Sequence, residues 1–486
     1  MTDESRDTQV VEPTRERETA CDVDVVVAGG GIAGVFAALG AARAGAETVL
    51  IDRFGSLGGN MGPGMISQGG IGSRPKPGTD DWPEQTQVFG GMKGFAREFL
   101  KRHVEIAGER AGNMVDANVA SYLSLKMAEE NGVTLMLSAY ASDPILKGDR
   151  VCGLFVENKS GRQAVLAKVV IDATGEADIA RRAGGPVIHP KPEYRDIDPN
   201  HGPYGEGLYY ELAGLDADRC EALKENVPEE DIQWVNQNVG AINERHSWLA
   251  PYIRQALEHD EFKELFSEGV FRREIPGIGI VPLLLRIIEK NGTASGATSN
   301  LRFDWADQAV ISKVEACSRI SIYELSHFLK KYVPGFENSY LACIPPYFGE
   351  RGGPCIEGEH VVTLEDFETG RRFPDVLYIY GHVSGGRDVK TGEGKWTDLP
   401  FRALLPKRLD GLIAVGRSAS AIPDTLIRGR TKAMHMGEAG GIAAALASKQ
   451  GITPKQLDVK ELQRKLLEIG FHLGNDERLR ELGIDS

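Results

Sequence analysis

The residues of this sequence with the clearest chemical meaning are a glycine turn, Gly29 to Gly34, and an acid, Asp52, that follows Gly34 by eighteen residues. In such a turn Gly29 permits the tight bend, Gly31 lets the backbone approach a pyrophosphate, and Gly34 lets a helix pack closely on a strand. Asp52 would accept hydrogen bonds from ribose hydroxyls, and its charge disfavours a 2′-phosphate. These residues predict a site for the ADP moiety of FAD or NAD rather than of NADP.

The elements around the turn are those that such a site needs. The β-branched run from Asp22 to Ala28 predicts a strand, the small and apolar residues up to Ala44 predict a helix, and Thr48 to Ile51 predicts a strand that ends at Asp52. The helix would direct its amino terminus at the phosphates. An ordinary turn between strand and helix is the alternative, and the agreement of turn, helix and acid favours the dinucleotide site.

Further along the chain the pattern predicts more of the same sheet and then a different kind of domain. A helix is expected over Val115 to Glu130, a strand over Val133 to Ser138, and a hairpin from Val151 to Ile171. Between 184 and 398 the glycine-turn unit does not recur, and this segment is the candidate substrate domain. A strand at 411–416 and a long helix rich in alanine and glycine at 431–448 then return to the first pattern.

Composition limits the partners of the protein. The 486 residues carry a formal net charge of −14, which would repel phosphate backbones, so we expect no nucleic-acid partner.

The six cysteines include no C-x-x-C pair, so we expect no zinc or other metal site and no disulfide framework, and a reducing cytoplasm is the expected location. Residues 1–20 are polar and are expected to be a disordered tail, and no run is apolar enough for a membrane span.

Four segments resemble the family of FAD-dependent oxidoreductases with a glutathione-reductase-type FAD domain, broadly related to the fumarate reductase and succinate dehydrogenase flavoproteins. They are Val25 to Arg53, Leu57 to Met61, Val151 to Asp178, and Leu399 to Leu446. The resemblance implies an α/β fold whose Rossmann-like FAD domain is discontinuous, formed by 21–183 and 399–450. An inserted α+β substrate domain would occupy 184–398, and a helical segment 453–486 would end the chain.

The resemblance also implies which residues contact FAD. The segments that would contact the cofactor include two glycine turns, the acid with its neighbour, and the chain past the third strand. They also include the turns after two later strands and the start of the long helix. The residues are Gly29, Gly31, Ile32, Ala33, Gly34, Asp52, Arg53, Gly58, Gly59, Asn60, Met61, Ala141, Ala173, Thr174, Gly175, Asp178, Gly416, Arg417, Arg430 and Gly437.

Three residues are candidates for the chemistry itself. His382, in a polar glycine-rich loop, would be the general acid or base, Arg351 would clamp a carboxylate or an enolate, and Tyr380 would donate a phenolic proton. An ordinary loop histidine, an ion-paired arginine and a core tyrosine are the alternatives. The chain departs from the family pattern where Pro354 or Cys355 replaces a second arginine.

The sequence favours an oxidoreductase that transfers a hydride between flavin and a small oxygenated organic molecule. No second glycine turn followed by an acid appears, so a dedicated NAD(P)H domain is not expected. The external electron partner would then be oxygen, a quinone, a carrier protein or a nicotinamide, and the carboxy-terminal helices would serve as a homo-oligomer contact. The alternatives are an electron-transfer subunit of a larger complex and a dinucleotide-binding synthase of the thiazole-forming type.

Overall fold

A computed structural model describes most of the chain. The described residues are 14–66, 88–107, 115–189, 207–267, 269–275, 279–289, 292–298, 308–346, 348–349, 353–381, 396–423 and 426–484.

The strands and helices of these residues are as follows. The strands are β1 Thr19–Ala28, β2 Thr48–Ile51, β3 Thr134–Met136, β4 Tyr140–Lys147, β5 Arg150–Asn158, β6 Gly161–Asp172, β7 Val187–Ile188, β8 Tyr209–Ala213, β9 Arg272–Ile275, β10 Gly279–Glu289, β11 Thr293–Thr298, β12 Tyr340–Cys343, β13 Cys355–Ile356, β14 Val362–Thr363, β15 Val376–Tyr380, β16 Thr397–Pro400, β17 Leu412–Ala414 and β18 Ala421–Ile422. The helices are α1 Ile32–Arg43, α2 Gly94–Ala107, α3 Ala117–Glu130, α4 Asp178–Arg182, α5 Ala217–Ala222, α6 Glu229–Asn238, α7 Ala250–Glu258, α8 Gln308–Tyr332, α9 Leu364–Glu368, α10 Arg430–Gln450, α11 Val459–Glu468 and α12 Asp476–Leu482.

The first sheet is mainly parallel and Rossmann-like. Its strand order is β3-β2-β1-β6-β5-β4, and β17 also pairs with β6. Strands β1, β2, β3, β6 and β17 are parallel to one another, whereas β5 runs antiparallel to β6 and β4 antiparallel to β5. The predicted strand–helix–strand unit, hairpin and returning strand are confirmed. Strand β1 begins at Thr19, three residues before the strand expected from Asp22, so Thr19 and Ala20 belong to this strand and not to the expected tail.

Alternating side chains of the first sheet form two hydrophobic cores. Val25 and Val27 of β1 pack with α1 and α10 on one face, while Val26 and Ala28 pack with the hairpin strands on the other. This alternation is what a twisted parallel sheet covered on both faces requires. Tyr378 of β15 and neighbouring residues of the β15–β16 hairpin also enter the α1–α10 core.

A second sheet lies in the segment between β7 and β13. It is antiparallel, with strand order β12-β8-β11-β10-β9. Its own core contains Phe266, Phe271 and Phe328, whose rings pack edge to face or tilted against one another. The long helix α8 covers this core. Among the described residues, no helix has the length and apolar character needed to cross a membrane.

Candidate cofactor-binding site

Four parallel strands end at one edge of the first sheet. The register pairs Ala28 with both Ile51 and Asp172, and Asp172 with Ala414. The segments that follow these strands therefore emerge side by side, although the end of β17 at Ala414 is 242 residues beyond the end of β6 at Asp172. Ligands of open α/β sheets bind at this edge, beyond the carboxyl ends of the strands.

The first glycine turn has the geometry that the sequence predicts. Gly29 has a φ of +102°, and a Cβ there would lie 2.6 Å from the carbonyl oxygen of Ala173. A Cβ on Gly34 would overlap the carbonyl oxygen of Gly29, so only glycine permits this close approach. Nothing lies within 4 Å of a Cβ built on Gly31, so this turn opens into free space at the start of α1.

The amino terminus of α1 leaves room for an anion. Gly31 occupies the N-cap position in an extended conformation, with no side-chain cap and no acid in the first turn. The first backbone N–H groups of a helix have no intrahelical acceptor, and they carry the positive end of the helix dipole. Ile32 and Ala33, the first residues of α1, thus present N–H groups at the open face of the turn, as a pyrophosphate site needs.

Asp52 lies beside the turn at the end of β2. Its carboxylate accepts hydrogen bonds from the N–H groups of Gly30, at 2.5 Å, and Phe54, at 2.8 Å. Burial raises the pKa of this carboxyl, and the two N–H donors oppose that rise by stabilising the charged form. The guanidinium of Arg53 stacks near the ring of Phe54, 4.9 Å from its centroid. Asp52 is therefore fixed against the glycine turn, as a ribose-binding acid would be.

The second glycine pair is bonded directly to the first turn. The N–H of Gly58 donates to the carbonyl oxygen of Gly30 at 2.9 Å, and Gly59 begins a short 3-10 helix that ends at Met61. Met61 is fully buried, and Asn60 accepts at its carbonyl from the N–H of Ile66 at 2.9 Å. The two motifs, separate in sequence, form one backbone surface.

This second segment ends beside the second sheet. The side chain of Ile66 occupies the space where a side chain on Gly349 would lie, and the thiol of Cys343 donates to the thioether of Met65 at 2.9 Å. The guanidinium of Arg430, the first residue of α10, donates to the carbonyl oxygen of Ile66. The glycine loop, the start of α10 and the edge of the second sheet therefore meet at Ile66.

The turns after β6 and β17 also face α1. A Cβ on Gly416 would lie 2.8 Å from the Cβ of Ala33, and the Arg417 guanidinium packs over Gly175, where a Cβ would lie 2.8 Å from its Nη2. Arg417 also lies 3.9 Å from the Glu176 carboxylate. Both predicted turns are thus brought to the open end of the first glycine turn.

The remaining predicted contacts have local roles in the fold. Asp178, the first residue of α4, pairs with Arg181 at 2.7 Å, and its N–H donates to the Thr174 hydroxyl at 3.0 Å. The Ala141 carbonyl accepts from Arg182 at 3.1 Å. Gly437 of α10 lies against the carbonyl oxygen of Ala33, which its lack of a side chain permits. Contact of these residues with a cofactor stays a prediction.

Of the three residues expected to do the chemistry, one lies in the described part of the chain. His382 and Arg351 fall outside the described residues. Tyr380 is fully buried at the end of β15, burial raises the pKa of its phenol, and its hydroxyl has no hydrogen-bond partner among the described residues. A role for Tyr380 in proton transfer stays a prediction.

The structure adds buried ionisable residues that the sequence interpretation missed. Lys432, His435 and Glu438, three residues apart on α10, are fully buried in the apolar core. Burial lowers the pKa of Lys432 to about 7 and that of His435 to about 4, and it raises the pKa of Glu438 to about 8. Their regular spacing in a helix of small residues was the sequence feature from which they could have been found. Asp172 and Ser418, between the two late turns, were also missed.

Comparison with known proteins places the chain in a family by a match over most of its length. The sequence model of the family described as FAD dependent oxidoreductase matches residues 24–466.

Individual curated relatives match a shorter part of the chain. A digeranylgeranylglycerophospholipid reductase of Picrophilus torridus is 31% identical over 174 residues, which is 33% of this chain and 41% of that protein. A thiamine thiazole synthase of Methanococcus maripaludis is 28% identical over 168 residues, which is 32% of this chain and 56% of that protein. The chain thus spans about half the length of the curated relatives it matches. A solved structure described as geranylgeranyl bacteriochlorophyll reductase-like, from Thermoplasma acidophilum, is 15% identical, covering 93% of this chain and 85% of that one at a TM-score of 0.39.

Proposed function

Because this chain belongs to the family of FAD dependent oxidoreductases, we propose that it is an enzyme that transfers a hydride between the flavin of FAD and a small oxygenated organic substrate. The observation that carries this proposal is the meeting point at Ile66. There the glycine loop expected to contact FAD, the amino terminus of α10 and the edge of the second sheet touch one another.

The residues present fit the cofactor. The open face at Gly31 and the uncapped start of α1 suit a pyrophosphate, and Asp52 suits a ribose. Gly58 to Met61, Ala173 to Gly175, and the Gly416 turn would line the rest of the site. Bound FAD would supply the hydride acceptor or donor, and the protein would bind and orient the substrate and move the proton.

In this proposal the substrate lies between the two sheets. The second sheet, with its separate core, would form the substrate domain, and Cys343 and Gly349 would stand at its cofactor-facing edge. Arg351, two residues beyond Gly349 in sequence, would bind a carboxylate or enolate oxygen through its forked N–H donors. His382 would exchange the proton with the substrate. Oxygen, a quinone, a carrier protein or a nicotinamide would be the second redox partner.

The experiment that tests this proposal is the visible absorption spectrum of the purified protein, repeated after anaerobic addition of alcohols, hydroxy acids and NADH. We expect two flavin bands that bleach with one class of compound. The His382→Gln and Arg351→Met variants should keep the flavin bands and bleach at least tenfold more slowly. A colourless protein that cannot be reconstituted with FAD would contradict the proposal and favour a dinucleotide-binding synthase.

A further inference from the structure

Two fully buried polar side chains join the turns that follow β6 and β17. The hydroxyl oxygen of Ser418 accepts hydrogen bonds from the N–H groups of Gly175, at 3.0 Å, and Ala177, at 3.1 Å. The same hydroxyl donates to the Asp172 carboxylate at 3.3 Å. Ser418 and Asp172 both have no exposed surface, and 246 residues separate them in sequence. One serine therefore connects two distant segments at the sheet edge.

Asp172 organises the first of these turns. Besides the Ser418 hydroxyl, its carboxylate accepts from the N–H and hydroxyl of Thr174, at 3.1 and 2.7 Å, and from the N–H groups of Ile179 and Ala180, at 3.0 and 3.1 Å. Burial raises the pKa of Asp172, and the hydrogen bonds from Thr174 and Ala180 oppose that rise by stabilising the carboxylate. Such a network fixes one conformation, since breaking it would leave a buried charge with unsatisfied donors nearby.

The backbone of the turn is strained at the point that Ser418 holds. Ala177 has a φ of +52°, in the left-handed region that residues with a Cβ rarely adopt. Strained conformations of this kind persist where the surroundings determine them. The hydrogen bond from Ala177 to Ser418 supplies that constraint, and the hydrogen bond from Gly175 to Ser418 keeps Gly175 beside Arg417 of the second turn.

We propose that Ser418 and Asp172 are positioning residues that hold the Gly175 turn and the Gly416 turn at the separation a bound FAD requires. This inference rests on the proposed function, since it takes FAD to lie against both turns. Neither residue needs to touch the cofactor. Their effect is to keep two loops from different parts of the chain in one arrangement, so that cofactor binding does not have to order them.

The test compares Ser418→Ala with Ser420→Ala as a matched control. Ser420 is also fully buried, and its hydroxyl oxygen accepts from the N–H of Gly358 at 3.1 Å, so its replacement removes a similar bond elsewhere. FAD dissociation constants are measured by flavin fluorescence quenching on the full-length protein stripped of FAD, and thermal unfolding of the stripped proteins is recorded in parallel. We expect at least a tenfold weaker FAD affinity and broadened flavin bands in Ser418→Ala, and wild-type affinity in Ser420→Ala.

Two further variants separate positioning from general destabilisation. Ser418→Thr keeps the hydroxyl and should recover most of the affinity lost in Ser418→Ala. Asp172→Asn keeps the side-chain shape but replaces one acceptor oxygen, and it should weaken FAD binding as Ser418→Ala does. Equal FAD affinity of Ser418→Ala and Ser420→Ala would overturn the inference. A wild-type protein that binds no FAD would instead overturn the proposed function.

Discussion

The α-carbon of Gly34 packs so closely on the carbonyl oxygen of Gly29 that a Cβ on Gly34 would overlap that oxygen. Gly31, between them, faces open space. We therefore predict opposite effects on stability for substitutions of Gly31 and Gly34. Gly31→Asp should abolish FAD binding, because the carboxylate would occupy the anion site, yet it should keep or raise stability by up to about 1 kcal/mol as a new N-cap.

Gly34→Ala is the comparison for that variant. Its added methyl group meets backbone that cannot move aside, so we expect unfolding to become easier by about 1–3 kcal/mol. Both effects are read from thermal unfolding together with the ratio of flavin to protein absorbance. Full flavin content in Gly31→Asp would show that the start of α1 does not hold the pyrophosphate.

The two tyrosines of β15 should respond in opposite directions to loss of their hydroxyls. Tyr378 donates to the Lys432 carbonyl oxygen at 3.0 Å, whereas the buried Tyr380 hydroxyl has no partner among the described residues. Tyr378→Phe should cost about 1 kcal/mol of unfolding free energy, and Tyr380→Phe should be neutral or stabilising. Denaturant unfolding measures both.

Turnover of the Tyr380→Phe protein tests its expected role as a proton donor. Loss of a general acid lowers the rate by about 10²–10⁴-fold. An unchanged rate with unchanged or higher stability would assign Tyr380 to core packing.

The sequence predicted the parts of the site that depend on local pattern. The Gly29 turn and Asp52 have a fixed spacing within one short strand–helix–strand unit, so both can be recognised in order along the chain. The hairpin before Asp172 and the long helix α10 could be predicted for the same reason, because alternation and helical periodicity are local properties of the sequence.

What the sequence could not show depends on pairing between distant segments. Ser418 contacts Gly175 only because β17 lies parallel to β6, and no local signal distinguishes Ser418 from Ser420. The contact of Ile66 with Gly349 likewise joins residues that are far apart in sequence. The sequence predicted α10 as a long helix rich in alanine and glycine, but it did not show that Glu438 is bonded to Phe95 of α2.

Glu438 should make stability depend on pH in the neutral range. Both of its oxygens accept from the N–H of Phe95, at 3.2 and 2.9 Å, and burial raises its pKa to about 8 while Arg43 lowers it and Glu98 raises it. The pKa of Glu438 is higher in the folded protein than in the unfolded chain. The protonated carboxyl therefore stabilises the folded protein fully below about pH 4.5, and this stabilisation is lost as pH rises through 8.

Glu438→Gln removes this titration. The unfolding free energy of the wild type should fall relative to the variant by roughly 1 kcal/mol per pH unit between pH 5 and 8. Glu98→Gln, which removes an exposed carboxylate paired with Arg43, should change the slope little. Parallel pH profiles of wild type and Glu438→Gln would mean that the carboxyl is already ionised at neutral pH.

The crossing of α1 and α10 should tolerate no added side chain. Gly441 of α10 lies against the carbonyl oxygen of Ala37, and Gly437 lies against that of Ala33 one turn earlier, so the two helices touch through their backbones. Gly441→Ala should destabilise the protein by about 1–3 kcal/mol, because the helices must separate although alanine is the better helix former. Gly437→Ala should lower the unfolding free energy by a similar amount. It should also weaken FAD binding, because Ala33 belongs to the first turn of α1. Gly441→Ala should leave the FAD affinity of the folded protein unchanged. Equal FAD affinities in the two variants, measured below their unfolding temperatures, would limit Gly437 to helix packing.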